Sequence, residues 1–305
     1  MIVAIIDMGT NTFNLLVAQT SGEILHESKL PVKLGEGGFT DKRLTPEAML
    51  RAYNAINTHL TTAKSFGASQ YYAFATSAVR DASNGQAFVI EIKRRFNIDV
   101  EVISGDREAE LIWKGVNAAV NLGESPEVVV DIGGGSNETI IANSKQIYWL
   151  HSFNLGVTRI AEGFQISDPI TSGELEAIES HMIQTVEPLL LAAAKLNPRI
   201  MAGSSGAFDS FRKILVQKGI IHDTSKFSAE IPLDEYLKLH QFFVTSTHAQ
   251  RLALPGLDPI RVDLIIPASI FVNLLVQKLG IRRMFQSDFA LKEGFWEELL
   301  NKIKG

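Results

Sequence analysis

The segment VVVDIGGGSNETIIA, Val128 to Ala142, leaves few choices of fold. An apolar run ends in Asp131, and three glycines follow, Gly133, Gly134 and Gly135. Then come Ser136, Asn137 and Glu138, and a second apolar run. The pattern predicts a strand, a tight turn and a returning strand. Glycines lack a β-carbon, so the turn's backbone can approach a ligand closely and aim its N–H groups at an anion. Ser136 and Asn137 add side-chain donors. Asp131 and Glu138 place carboxylates at the mouth of the turn, where a divalent cation could sit. A plain β-hairpin that uses glycine only to turn is the alternative. A second copy weighs against it. In IDMGTNTFNLLVA, Ile6 to Ala18, Asp7 falls on Asp131, Gly9 on Gly133 and Thr12 on Ser136. Two units of one design, a domain's length apart, imply two similar domains facing one ligand.

The 305 residues suffice for two domains of ordinary size, and a hydrophobic content of 46% suits full cores. With no cysteine, disulfides, thiol chemistry and cysteine-ligated zinc are excluded. The N-terminus meets Asp7 after a few apolar residues, so no signal peptide is expected. The apolar uncharged run Leu264 to Gln277 contains Pro267 and Asn273 and is too short to span a bilayer. A cytoplasmic protein with no membrane partner is expected. The net charge of −5 argues against a nucleic-acid surface. It also means that an anionic substrate must be held locally, by backbone N–H groups, a few Lys or Arg, and a metal ion.

Three strands are predicted at Val3–Asp7, Phe13–Thr20 and Glu23–Lys29. The glycine-rich stretch Leu34 to Arg43 reads as a mobile surface loop or, alternatively, a lid. Thr45 caps a helix with Pro46 at its first position. The strand Tyr71–Thr76 ends at Ser77 and Arg80, the place where open α/β sheets bind ligands. Arg80 can equally be a surface arginine. After the strand Val100–Ile103, a helix carries Leu111, Ile112, Val116 and Ala119 on one stripe. Glu108 falls on that stripe, which predicts a partly desolvated carboxyl with a raised pKa. Alternatively, Glu108 only complements the helix dipole. A long helix is predicted from Gly173 to Ala194. The turn Gly203–Gly206 before the next helix offers a third phosphate position or simply close packing. Residues Ile231–Thr245 are expected to be helical. A loop carries Asp258, Arg261 and Asp263 into an apolar helix from Val262 to Leu279. The terminal helix is predicted to begin at Ser287, and Gly294 inside it suggests tight packing. No P-loop, HExxH or GxSxG motif is present.

With these segments assembled, the chain resembles the exopolyphosphatase / guanosine pentaphosphate phosphohydrolase family of the actin–hexokinase–chaperone ATPase superfamily. The resemblance runs through Ile6–Ala18, Phe74–Ala82, Val100–Val116, Val128–Ile140, Phe153–Ile160, Ala202–Phe208, Leu254–Ala268 and Ala290–Gly294, in the family's order. It implies an α/β fold of two ribonuclease-H-like, actin-like ATPase domains with mixed sheets flanked by helices and the active site in the interdomain cleft. The domains are expected over residues 1–122, with the 289–305 helix packing back on them, and over residues 123–288. By resemblance Glu108 is the catalytic residue. The first phosphate loop is Gly9, Thr10, Asn11 and Thr12. The second is Gly133, Gly134, Gly135, Ser136 and Asn137, and Arg80 contacts phosphate. Asp131 and Glu138 are associated with Mg²⁺ or another divalent cation. Asn137 stands where the family more often has threonine. The implied chemistry is hydrolysis of a terminal phosphoanhydride of polyphosphate or guanosine pentaphosphate. A nucleotide-dependent kinase or ATPase and a non-catalytic alarmone-binding protein are the rival readings. The oligomeric state is left open, a homodimer being one form.

Overall fold

The structure, a computed structural model, describes residues 1–222 and 227–304. The chain divides into two compact units. The first comprises Met1–Gly115, Gly133–Gly135 and the segment from Leu291 onward, and the second Val116–Ile132 and Ser136–Ala290. The division falls after Gly115, not after residue 122 as expected, because the α4 helix runs through it. Residue 305, part of the expected terminal segment, lies outside the described residues.

The first unit is built on β1 (Ile2–Met8), β2 (Thr12–Gln19), β3 (Ile24–Pro31), β4 (Gln70–Ala75) and β5 (Val100–Val102), in the order β3-β2-β1-β4-β5. β1, β2 and β3 form an antiparallel meander, while β4 and β5 join β1 in parallel. Its helices are α1 (Pro46–Ser65), α2 (Ser77–Arg80), α3 (Gly85–Phe96), the first turns of α4 (Gly105–Val120) and α12 (Leu291–Lys304). α1 starts where expected. Thr45 Oγ1 accepts the Ala48 N–H at 3.2 Å, and Pro46 sits in the first turn. Such a cap contributes about 1 kcal/mol. Ala48, Ala52, Ala55, Ile56, Leu60 and Ala63 recur at helical spacing and bury against β1 and β2.

α12 starts four residues later than predicted and belongs to the first unit. Phe295 packs on Tyr72 and Phe74 of β4, with ring centroids 4.9 and 4.7 Å apart. Gly294 lies against α4, where a β-carbon would sit 1.8 Å from the Leu111 carbonyl oxygen. Lys292 anchors the helix start between Glu293, which is fully buried, and Glu27 of β3 at 3.0 Å. The two carboxylates raise the Lys292 pKa even though burial opposes the charge.

The second unit holds β6 (Glu127–Ile132), β7 (Asn137–Ala142), β8 (Ile147–Phe153), β9 (Ile200–Ser204), β10 (Ser228–Ile231) and β11 (Arg283–Ser287). Their order is β10-β11-β9-β6-β7-β8, again an antiparallel meander extended by parallel strands, with β10 closing the far edge antiparallel. Its helices are α5 (Val157–Phe164), α6 (Ser172–Thr185), α7 (Glu187–Leu196), α8 (Ser205–Gln217), α9 (Leu233–Thr245), α10 (His248–Leu252) and α11 (Ile265–Leu279).

Three expectations change here. The single helix over 173–194 is two, because Pro188 at the start of α7 cannot donate into the preceding turn. Residues before α9 form β10, whose alternation is too short to stand out from the helical pattern that follows. The apolar helix starts at Ile265, after a 3₁₀ turn over Pro259–Arg261. α11 is buried on almost its whole circumference, so its uncharged run fills a core. Among the described residues, no helix is long and apolar enough to cross a membrane.

Candidate active site

The β1–β2 turn is closed by the Gly9 N–H on the Thr12 carbonyl at 3.1 Å. A β-carbon on Gly9 would lie 3.0 Å from that same carbonyl oxygen. The two glycine turns meet inside the first unit. A β-carbon on Gly134 would come within 2.7 Å of Asn11 Nδ2 and 2.9 Å of Thr10 Cβ. On Gly135 it would come within 2.6 Å of Ser77 Oγ and 2.9 Å of Thr10 Oγ1. Neither glycine adopts a left-handed φ. These residues are glycine because of what lies against them, not because the turn requires it.

Ser77 opens α2 directly after β4, and its buried hydroxyl lies 3.1 Å from Thr10 Oγ1. One turn later on the same helix, Arg80 Nη1 donates to Glu108 Oε2 and to the Ile103 carbonyl, both at 3.0 Å. Glu108 is 7% exposed. The buried stripe of α4 therefore places this carboxylate as expected, but it meets a guanidinium rather than an apolar wall. Arg80, which position alone left ambiguous, pairs with Glu108.

In the glycine-rich loop after β3, Leu34, Gly35 and Gly38 are buried, while residues 36, 37 and 40–43 lie at the surface. The Gly35 N–H donates to the Thr10 carbonyl at 3.2 Å. The Phe39 ring lies against both Gly35 and Gly135.

In the second unit, strand pairing sets Ser204, Asp131, Glu138 and Ser152 in one row across β9, β6, β7 and β8. Directly paired side chains share a sheet face. Asp131 and Glu138 are 6% and 1% exposed. Ser204 Oγ donates to Asp131 at 2.6 Å, and Ser205 Oγ reaches both Asp131 oxygens at 2.8 Å. Ser152 Oγ donates to Glu138 at 2.7 Å. Ser205 holds a left-handed φ of 68° to do so. Ser136 and Asn137 are also buried. Asn137 Oδ1 accepts from Thr139, whereas its Nδ2 has no acceptor among the described residues.

Arg261 packs its guanidinium on Gly206, where a β-carbon would lie 1.6 Å from Cζ. Burial pushes its pKa down, while Asp209, Asp258 and Asp131 pull it up. The loop that carries Arg261 is pinned by Arg251, which is 1% exposed and donates to the Val262 carbonyl at 2.9 Å and to Asp168 at 3.1 Å.

The first unit repeats this row in weaker form. Asn14 Nδ2 donates to Asp7 Oδ2 at 2.8 Å, at the positions equivalent to Glu138 and Asp131. At this register position the second unit pairs two carboxylates, whereas the first pairs a carboxylate with an amide. Among the described residues, no three acidic or histidine side chains cluster as metal ligands. Mg²⁺ ordinarily takes one or two carboxylates and fills the rest with water and phosphate oxygens. The two adjacent, buried carboxylates and their hydroxyl partners are an all-oxygen set of that kind, so the residues fit a hard cation.

Sequence reasoning placed Ser77 at the ligand-binding end of its strand but missed the contacts of Ser152, Ser204 and Ser205 with the two carboxylates. The small-residue turn at 203–206 was a signal for two of them. Ser152 carries none, because only strand register brings it to Glu138.

The Ppx/GppA phosphatase family matches residues 16–303. Exopolyphosphatase 2 of Mycobacterium tuberculosis is 29% identical over 309 residues, covering 96% of each chain. A crystal structure of an exopolyphosphatase from Cytophaga hutchinsonii shares 33% identity at a TM-score of 0.94, covering 99% of this chain and 98% of that one. The Aquifex aeolicus Ppx/GppA family member shares the fold at a TM-score of 0.81 and 19% identity, covering 100% of this chain and 99% of that one. The mixed sheets flanked by helices are the expected α/β class and match the two-domain actin-like fold of these structures. With a match over nearly its whole length, a shared fold and the motif segments in the family's order, the chain belongs to the Ppx/GppA phosphatase family.

Proposed function

We propose that the protein is an exopolyphosphatase, hydrolysing the terminal phosphoanhydride of inorganic polyphosphate to release orthophosphate. The observation that carries this reading is the linked set in the first unit. Glycine turns without side-chain bulk pack around Thr10 and Asn11, Ser77 joins Thr10 to α2, and α2 delivers Arg80 to Glu108. In this reading the backbone N–H groups and small polar side chains of the two turns hold the terminal phosphate. Glu108, oriented by Arg80, accepts a proton from the attacking water. Arg80 also stabilises charge on the phosphate oxygens. Asp131 and Glu138 are the residues that would hold Mg²⁺, whose positive charge offsets that of the phosphates. The names of the relatives in Mycobacterium tuberculosis and Cytophaga hutchinsonii support polyphosphate as the substrate. Guanosine pentaphosphate presents the same terminal anhydride and is the second substrate of this reading.

The test is orthophosphate release from polyphosphate, guanosine pentaphosphate and ATP, each with Mg²⁺ and with EDTA. Metal-dependent release from polyphosphate is expected. Turnover of ATP alone would identify a nucleotide-dependent relative. Tight guanosine pentaphosphate binding with no release from any substrate would identify an alarmone-binding protein.

A further inference from the structure

The connection from β3 to α1 carries three exposed cations, Lys33, Lys42 and Arg43, and the half-buried Arg51 of α1 folds back onto it; the four divide into two kinds. Lys33 and Arg51 are both paired with Glu36, at 3.3 and 3.1 Å. Arg51 also donates to the Val32 and Lys33 carbonyls at 2.7 and 2.8 Å. These two fasten the base of the loop. Lys42 and Arg43 are exposed, and among the described residues neither side chain has a hydrogen-bond or ion-pair partner.

The backbone beneath this second pair is fixed at both ends. On one side, Gly35 and Phe39 pack against Thr10 and Gly135. On the other, the Ser83 N–H donates to the Lys42 carbonyl at 2.8 Å. Asn84 bonds both the N–H and the carbonyl of Leu44 at 2.9 Å. Ser83 and Asn84 follow Arg80 by three and four residues. Gly38 allows the fold-back, since its N–H and carbonyl close on Gly35 and Arg43 and a β-carbon there would lie 2.4 Å from the Arg43 oxygen. Lys42 adopts a left-handed φ of 48°. A hydrogen-bonded rim thus runs from the glycine turns to the end of the Arg80 helix and presents two cations with no counter-ion among the described residues. The neighbouring Asp41 still leaves the tip net positive. In a chain of net charge −5, such a pair is a local concentration of positive charge that attracts anions.

We propose that Lys42 and Arg43 bind the phosphates that follow the terminal one, so that this rim sets the preference for long chains. The inference rests on the polyphosphate reading above. A flexible polyanion gains affinity with each phosphate neutralised, whereas a substrate too short to reach past the grip does not.

The experiment compares the wild type with Lys42→Gln/Arg43→Gln. A charge control, Lys93→Gln/Arg94→Gln, removes two cations from the last turn of α3, where they pair with Asp99 and Glu91. The first readout is kcat/KM for long polyphosphate divided by that for tripolyphosphate. The second is anisotropy binding of fluorescent long-chain polyphosphate in the Glu108→Gln background, which needs no turnover. Loss of the rim cations is expected to lower the kcat/KM ratio about tenfold. It should also flatten the slope of log Kd against log salt by about one, as loss of one to two phosphate contacts requires. The charge control should leave both readouts at their wild-type values. An unchanged ratio and salt slope in the rim variant, or equal changes in the control, overturns the proposal. Absence of phosphate release from every substrate overturns the hydrolase reading instead, and the binding arm then decides the rim on its own.

Discussion

Arg80 Nη1 lies 3.0 Å from Glu108 Oε2 and also 3.0 Å from the Ile103 carbonyl, so one guanidinium joins the exit of β5 to the start of α4. The pair fixes the position of the carboxylate proposed as the general base. Glu108→Gln keeps the shape and removes the base, so kcat for phosphate release should fall about 10²–10⁴-fold. Arg80→Lys restores the charge but not the planar fork that serves two acceptors, so it should remain well below wild type. Groups that act as one unit are not additive. The double variant Arg80→Ala/Glu108→Gln should therefore be little slower than Glu108→Gln. Steady-state phosphate release checks all three, with thermal melts to show that each variant is folded. A Glu108→Gln enzyme within tenfold of wild type removes Glu108 from the role of base.

Ser205 separates backbone strain from side-chain function. Its left-handed φ of 68° is one that glycine adopts freely, while its hydroxyl bonds both oxygens of Asp131. Ser205→Ala keeps the strain and loses the hydroxyl, whereas Ser205→Gly loses both. Relief of a left-handed side chain is worth about 1–2 kcal/mol, reduced by the greater freedom of glycine in the unfolded chain. Ser205→Gly should therefore be about 1 kcal/mol more stable than Ser205→Ala by urea unfolding. Both should raise the half-saturating Mg²⁺ about tenfold, the usual cost of losing a group that orients a ligand. Mn²⁺ binding followed by EPR gives a readout independent of turnover. Equal stability of the two variants would show that the conformation costs nothing.

Gly294 tests the packing of the terminal helix. Alanine would gain about 1 kcal/mol in helix propensity. Its β-carbon would sit 1.8 Å from the Leu111 carbonyl, which is backbone and cannot swing aside. Overpacking of this kind costs about 1–3 kcal/mol. Gly294→Ala should therefore lower the urea midpoint despite the better propensity, and Gly294→Ser should lower it similarly. A higher midpoint would show that α12 shifts on α4 at no cost.

The strand–turn–strand units were legible because their apolar runs, acidic ends and glycines lie within thirteen residues of one another, and because they occur twice. Glu108 was legible from the stripe of α4. The partner of its carboxylate was not, since Arg80 comes from a helix that helical spacing cannot link to it. The same holds for the serines on Asp131 and Glu138. Ser204 and Ser152 reach them through strand register, a long-range property that no local pattern encodes. The glycine-rich loop is legible as a surface loop from its composition, but its buried base is not. Its packing comes from one aromatic, Phe39, whose contacts with Gly35 and Gly135 appear only in three dimensions. Pro188 was a local signal that the apolar periodicity around it masked.

Two buried histidines make stability depend on pH in a predictable direction. His59, on the buried face of α1, has a lowered pKa, first because it is desolvated and also because His26 is near, against the hydrogen bond to the Phe13 carbonyl. His240 of α9, bonded to Ser269, is lowered by desolvation as well. Both are neutral in the folded protein at pH values where the unfolded chain already binds protons. Their neutral state thus contributes full stability above the ordinary histidine pKa of 6.5. That contribution declines as the pH falls below this value, by at most about 1.4 kcal/mol per pH unit for each group. The urea midpoint should therefore drop between pH 7.5 and 5.5. In His59→Gln, which keeps a donor for Phe13 but cannot titrate, the drop should be smaller even if the variant is less stable at pH 7.5. A drop of the same size in His59→Gln and His240→Gln would assign the acid sensitivity to other groups.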